Sequence, residues 1–326
     1  MGAGAVGCYI GGRLQAAGVE VFYVGRPRVL QGLKTHGLRL TDLDGQRSLL
    51  PPSKLQLLET PPPQAALTLL CVKSGATAEA AAALARVQPG LVISFQNGVS
   101  NTETAATAAP DLTVLPGMVP FNVAEMAAGH FHRGTSGELA VQDHTALDPW
   151  APWFESAGLP LRRHADLRAV QWGKLLLNLN NPINALSGQP LRQQLLDREL
   201  RSVLAALQEE ALAVLARAGI QPARLTPLPP RLLPRVLRLP TWAFRLVAAR
   251  MLRIDERARS SMADDLRLSR LTEIDALCGE LVRLAREHGM RAPLNERMVQ
   301  LVQAWPSDPR PRGGRELGAA LAGSRR

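Results

Sequence analysis

A complete G-x-G-x-x-G occupies residues 2–7 (Gly2-Ala3-Gly4-Ala5-Val6-Gly7), with only Met1 ahead of it. Such a loop works as the turn between a strand and a helix. Gly2 permits the tight turn, Gly4 lets backbone N–H groups approach a pyrophosphate, and Gly7 lets the helix close on the sheet. The helical half is present: residues 6–18 read as a helix with Val6, Ile10 and Leu14 at spacing four. Its first N–H groups, around Ala5, Val6 and Gly7, would face the phosphates. The strand half is missing from the sequence as written. The expectation is therefore an α/β, Rossmann-type domain without its first strand, whose two neighbours would lie unpaired over a long edge. A translation start some residues upstream, adding a short apolar strand, would repair it.

A second strand, residues 19–24, is followed by Gly25-Arg26-Pro27-Arg28. An NAD site places a carboxylate about 20 positions past the glycines to receive the ribose hydroxyls. Here no carboxylate repels a 2′-phosphate and Arg26 can bind one bidentately, which favours NADP. Residues 28–35 suit a short helix, and 37–58 alternate apolar and polar residues around Asp44-Gly45 as in a hairpin. Two continuous apolar runs, 65–72 and 91–95, read as buried parallel strands with a helix over 77–87 between them. They end at Lys73-Ser74 and at Gln96-Asn97-Gly98, and ligands bind beyond the carboxyl ends of such strands. Residues 113–115, 129–133 and 137–141 read as strands finishing the sheet. His130 and His132 share one strand face but have no third ligand at metal spacing, so no metal site is expected.

From residue 166 the pattern turns helical. The division predicted is an NADP-binding domain over 1–165, a helical substrate-binding domain over 166–308, and a basic, Gly-rich, disordered tail over 309–326. No apolar run reaches the ~18–20 residues of a membrane helix, and no charged leader precedes an apolar stretch. A cytoplasmic protein with no membrane partner is expected, and the sequence, silent on oligomeric state, allows a homodimer. Cys8, Cys71 and Cys278 suggest neither a disulfide framework nor a metal site. The net charge of +10 is spread through the chain rather than gathered on one face, which argues against nucleic acid. Between residues 231 and 250 the arginines look like the solvated rim of amphipathic helices.

Of 38 basic residues only Lys34, Lys54, Lys73 and Lys174 are lysine. Lysine differs from arginine in being a compact charge whose proton can be transferred once a site lowers its pKa. Lys34 and Lys54 look like surface residues, but Lys73 and Lys174 fall inside motifs. Within residues 170–188 (VQWGKLLLNLNNPINALSG), Lys174, Asn178 and Asn181 stand at i, i+4 and i+7 on one helix stripe, surrounded by leucines. A buried row of ammonium and amides must be satisfied by a polar ligand or by neighbouring helices. Pro182 should bend or end the helix there. A second group, Ser261, Asp265 and Glu273, reads as one helix, with Ser260 or Ser261 as its N-cap or Ser261 as a site residue.

Taken together, GAGAVG at 2–7, CVKS at 71–74, QNG at 96–98, WGKLLLN at 172–178, and SSMADDL with TEID over 260–275 resemble the 2-dehydropantoate 2-reductase (ketopantoate reductase) family. The resemblance spans residues 1–305. It implies hydride transfer from NADPH to the ketone of a 2-oxo acid, with substrate in a cleft between the two domains. By that resemblance Lys174 is the general acid and Glu273 its partner. Asn178, Asn181, Asn97 and Ser261 contact substrate. Gly2, Gly4, Ala5, Val6, Gly7, Arg26, Lys73 and Asn97 hold the cofactor. The family's second helical asparagine falls at the position of Pro182 here, which leaves Asn181, Asn180 or Asn184 as its substitute. The Arg/Pro/Leu-rich stretch 222–251 is a second departure. Two rival readings follow: the same scaffold acting on another small 2-oxoacid or imine, and a non-catalytic dinucleotide sensor or nucleic-acid-associated protein using the basic tail.

Overall fold

The computed structural model describes residues 1–249, 252 and 258–323. The chain divides into two compact units, Met1–Leu167 and Arg168–Arg326. The strands of the first are β1 (Phe22–Val24), β2 (Leu38–Asp42), β3 (Arg47–Leu50), β4 (Gln56–Leu58), β5 (Leu67–Leu70), β6 (Leu91–Ser94), β7 (Val114–Met118), β8 (Val123–Ala127), β9 (His130–Arg133), β10 (Leu139–Gln142) and β11 (Leu161–His164). Its helices are α1 (Ala5–Ala16), α2 (Pro27–His36), α3 (Thr77–Leu84), α4 (Asn101–Ala108) and α5 (Ala151–Ser156). The second unit is built from α6 (Leu167–Asn178), α7 (Asn180–Ser187), α8 (Leu191–Leu196), α9 (Arg198–Arg217), α10 (Leu233–Leu237), α11 (Thr241–Val247), α12 (Ser261–Arg267), α13 (Glu280–Glu287), α14 (Pro293–Gln303) and α15 (Gly314–Ala322).

The parallel sheet of the first unit stands in two pieces among the described residues. β1 pairs with β4 alone, while β5, β6 and β7 run parallel and continue through β10 to β11. β4 thus joins β1 rather than a local hairpin; the hairpin is β2–β3. His130 and His132 do not finish the main sheet. Their strand, β9, lies in a separate sheet of order β3-β2-β9-β8, where both imidazoles hydrogen-bond the Thr41 hydroxyl.

Helix α1 buries Cys8, Tyr9, Ile10 and Leu14, and Gly11 and Gly12 bring it within contact of Tyr23 and Leu38. Between β1 and β5 is a cavity of about 310 Å³, and residues 1–3 cross its far end. The Met1 amine donates to the Leu69 carbonyl (3.0 Å) and the Cys71 N–H to the Met1 carbonyl (2.8 Å). The N–H groups of Gly2 and Ala3 both donate to the Val24 carbonyl, at 2.8 and 2.9 Å.

In the second unit α9 is the spine. Leu200, Val203, Leu204, Leu207, Ala211, Val214 and Leu215 repeat at helical spacing and are all buried, and the Asp197 carboxylate caps the first turn through the N–H groups of Glu199 and Leu200. Glu210 on the same helix accepts from the N–H groups of Leu294 and Asn295, satisfying the start of α14. Buried Arg201 donates to the carbonyls of Leu195 (2.8 Å), Leu237 (3.0 Å) and Leu239 (2.9 Å), and its guanidinium lies 4.3 Å from the Phe244 ring centroid. The unusual stretch after residue 222 is thereby fastened to α9 as far as α11; Arg250 and Met251, at its end, lie outside the described residues. The exposed side of α11 is not an arginine rim alone, for Trp242, Leu246 and Val247 stand on it with Arg245.

The tail is a correction. Instead of disorder, residues 314–322 form α15, which buries Leu317 and Leu321. Gly314 approaches α9 so closely that a Cβ there would lie 2.5 Å from the Cβ of Glu199. Composition pointed to disorder, but two leucines at i, i+4 and one small residue at a tight contact are enough to dock a short helix. Residues 324–326 lie outside the description. No described helix is long and apolar enough to cross a membrane.

Candidate active site

The first unit gathers the predicted nucleotide residues by backbone geometry. Gly2 has φ +94°, and a Cβ there would lie 2.5 Å from the Val72 nitrogen. A Cβ on Gly7 would lie 2.2 Å from the Gly2 carbonyl oxygen. Both glycines are therefore required by the fold of the loop itself. Gly4 is different: nothing lies within 4 Å of its Cβ position. It sits exposed at the N-cap of α1, where no side chain caps the helix and no acid stands in the first turn. The leading N–H groups around Ala5, Val6 and Gly7 thus stand at a helix start without a side-chain cap, where the helix dipole favours negative charge. Gly25, at the end of β1, packs its α-carbon against Ala3, where a Cβ would come within 2.7 Å of the Ala3 methyl. Arg26 follows as the exposed N-cap of α2, free of any carboxylate in that helix's first turn.

Lys73 caps the short 3₁₀ turn Ser74–Ala76 after β5. The Ser74 hydroxyl donates to the Asn97 carbonyl (2.8 Å), so the two strand-end motifs are joined. Sequence reasoning missed what braces them. The buried Gln96 amide donates to the Val72 carbonyl (3.0 Å) and the Thr77 hydroxyl (2.7 Å), and accepts from Ser94 (2.9 Å). Asn101 accepts from Thr77 and donates to the Asn97 carbonyl. A glutamine at the end of an otherwise apolar strand was the signal available.

In the second unit Lys174 lies on α6, between Gly173 and the leucines. Gly173 allows close packing, since a Cβ there would lie 2.5 Å from the Ala223 carbonyl oxygen. The lysine residue keeps part of its surface accessible, yet its ammonium is withdrawn from water. Burial lowers its pKa to about 8, against the opposing pull of the Glu273 carboxylate, which favours the charged form.

The single stripe of Lys174, Asn178 and Asn181 does not survive as one helix. α6 ends at Asn178, Leu179 forms a turn, and α7 begins at Asn180. Pro182 explains the break, because it has no N–H for the Asn178 carbonyl and its ring would press on that group. Asn184 is fully buried and structural: its amide donates to the Gln189 carbonyl and to Gln194, and its oxygen accepts the Ser260 N–H (2.8 Å). Asn180 accepts from Gln194 at 2.5 Å. Among the described residues the side chains of Asn178 and Asn181 carry no hydrogen bond, and both are half-buried.

Ser260, not Ser261, is the N-cap of α12. Its hydroxyl accepts from the Ala263 N–H and donates to the Asn181 carbonyl (3.3 Å), which leaves the exposed Ser261 hydroxyl outside the cap. Glu273 does not share that helix. α12 closes at Leu268 with Ser269 at φ +51°, the Arg270 N–H bonding the Asp265 carbonyl and the Ser269 N–H that of Leu266. This is a Schellman ending built on serine rather than glycine, so no glycine marks the stop in the sequence. Glu273 instead lies just before Ile274, the N-cap of the π-helical turn Asp275–Gly279 that leads into α13. Among the described residues no group of three or more His, Cys, Asp or Glu is placed to hold a metal.

These features define a class: a Rossmann-like α/β unit with an anion-ready glycine loop, followed by a helical unit carrying a desolvated lysine. The family model described as Ketopantoate reductase PanE/ApbA matches residues 1–146, and that for the Ketopantoate reductase PanE/ApbA C terminal matches residues 166–305. The chain belongs to the ketopantoate reductase family. It is 27% identical over 314 residues to the 2-dehydropantoate 2-reductase of Archaeoglobus fulgidus, covering 94% of this chain and 97% of that one. The Halobacterium salinarum 2-dehydropantoate 2-reductase is 26% identical, with 94% and 98% covered. The crystal structure of a PanE/ApbA family ketopantoate reductase from Ralstonia eutropha superposes with a TM-score of 0.77 at 30% identity, over 93% of this chain and 96% of that one.

Proposed function

We propose that the protein reduces 2-dehydropantoate to pantoate with NADPH, a step toward pantothenate and coenzyme A. The observation that carries this reading is Lys174, an ammonium desolvated on a leucine-rich helix and held charged by Glu273. Bound NADPH would supply hydride to the ketone carbon. The Lys174 Nζ would hydrogen-bond the ketone oxygen and give it a proton as charge develops there. Glu273 would keep that nitrogen protonated near neutral pH. Asn178 and Asn181 have amides free to hold substrate oxygens, and Ser261 is free to meet the carboxylate. Lys73 and Asn97 would serve the nicotinamide side. Gly2, Gly4, Ala5, Val6 and Gly7 would form the pyrophosphate cradle, and Arg26 would select the 2′-phosphate.

The test is NADPH oxidation by the purified protein offered 2-dehydropantoate. Lys174→Ala should lower kcat by about 10²–10⁴-fold while leaving the Kd for NADPH within about twofold. An unchanged kcat would remove the assigned acid. A second reading, another 2-oxoacid on the same scaffold, is favoured by the helix break at Leu179, which puts Asn181 on a different helix from Lys174. A panel of 2-oxoacids at fixed NADPH separates the two by kcat/KM.

A further inference from the structure

Three helices of the second unit are joined through one buried amide. Gln194, on α8, is 1% exposed and belongs to none of the motifs of the candidate site. Its Nε2 donates to the Asn180 Oδ1 (2.5 Å) and its Oε1 accepts from the Asn184 Nδ2 (2.9 Å), so one side chain spans positions i and i+4 on the first turn of α7. That turn contains Pro182, whose missing N–H takes one bond out of the backbone ladder. Asn184 passes the constraint onward. Its Oδ1 accepts the Ser260 N–H (2.8 Å), and the Ser260 hydroxyl returns to the Asn181 carbonyl (3.3 Å). At the start of α8 the Leu191 N–H donates to the Ala258 carbonyl (2.9 Å), two residues ahead of Ser260. An amide has unlike ends, so turning over Gln194 or Asn184 sets N–H against N–H or oxygen against oxygen, and the chain admits one arrangement. An apolar side chain at 194 would pack between the same helices without desolvating polar groups. The amide chain is therefore suited to fixing geometry more than to adding stability.

We infer that Gln194 is a positioning residue for 2-oxoacid binding: without touching substrate, it fixes where Asn181 and Ser261 stand relative to each other. Asn181 follows Asn180 and Ser261 follows Ser260, so the two ends of the hydrogen-bonded chain lie one residue from the two groups. A polar contact displaced by about 1 Å loses much of its hold on a ligand. The inference rests on the proposed function in one respect only, that Asn181 and Ser261 are substrate contacts.

Gln194→Met, close in length and volume but without the amide, tests it in the full-length protein at saturating NADPH and varied 2-dehydropantoate. KM for the 2-oxoacid should rise about tenfold, while kcat and the Kd for NADPH stay within about twofold. Asn184→Asp keeps the acceptor for the Ser260 N–H but loses the donor to Gln194, and it should raise KM in the same way. The double variant should raise KM no further than the larger single one, because either change cuts the same chain. A native KM in Gln194→Met, whatever its Tm, would overturn the inference and leave the residue a packing brace. So would a fall in kcat at unchanged KM, or KM effects of the two variants that multiply. If the native protein reduces another 2-oxoacid and not 2-dehydropantoate, the proposed substrate fails alone, and the same KM comparison is made on that other acid. Silence toward every 2-oxoacid would overturn both.

Discussion

In the first unit the candidate residues act through backbone, and position is enforced by what cannot be there: a Cβ on Gly2 or Gly7 collides with main-chain atoms at 2.5 and 2.2 Å. In the second unit the candidates are side chains, and position is enforced by buried polar partners: Asn184, Gln194 and Ser260 tie α7 to the start of α12. A backbone site is written locally, since a glycine pattern leaves few alternatives. A side-chain site is written in distant pieces, and only packing shows which asparagine or serine is structural and which is free.

The sharpest way to break this contrast lies inside the glycine loop. Gly7→Ala should destabilise the first unit severely, by about 3 kcal/mol or more, because backbone must move to admit the methyl. Gly4→Ala should leave Tm nearly unchanged, as its Cβ position is open, and weaken NADPH binding instead. Equal thermal losses for the two would show that the loop does not divide its glycines between folding and ligand. Next in size is Arg201→Lys, read by chemical denaturation. Losing the fork that spans three carbonyls and faces Phe244 should lower stability by about 2–4 kcal/mol. A loss near zero would mean that α10 and α11 are held by their apolar contacts alone. The smallest effect expected is Arg26→Ala, which should cut the preference for NADPH over NADH by about tenfold, or roughly 1.4 kcal/mol, measured as the ratio of the two Kd values.

Much of the first unit was legible in the sequence: the glycine loop and the apolar runs ending at Lys73 and Asn97. Lys174 stood out because this chain writes nearly every other cation as arginine. Pro182 announced the break it causes. Other features were hidden for physical reasons. Ser269 adopts a positive φ that its residue type rarely signals, so Ser261 and Glu273 looked like one helix. α15 is short and carries glycines at 314 and 318, so it does not read as a helix without α9 beneath it. Gln96 and Asn184 look like site residues in sequence and prove to be braces, a distinction carried entirely by long-range hydrogen bonds.

Whether Lys174 serves as the acid can be read from the pH dependence of kcat/KM for NADPH-dependent reduction of 2-dehydropantoate. Its pKa of about 8 predicts activity that is full below that pH and falls as the ammonium loses its proton above it. Glu273→Gln removes the carboxylate that favours the charged form, so the fall should begin at lower pH. A profile flat from about pH 6 to about pH 10, unmoved by Glu273→Gln, would contradict the account.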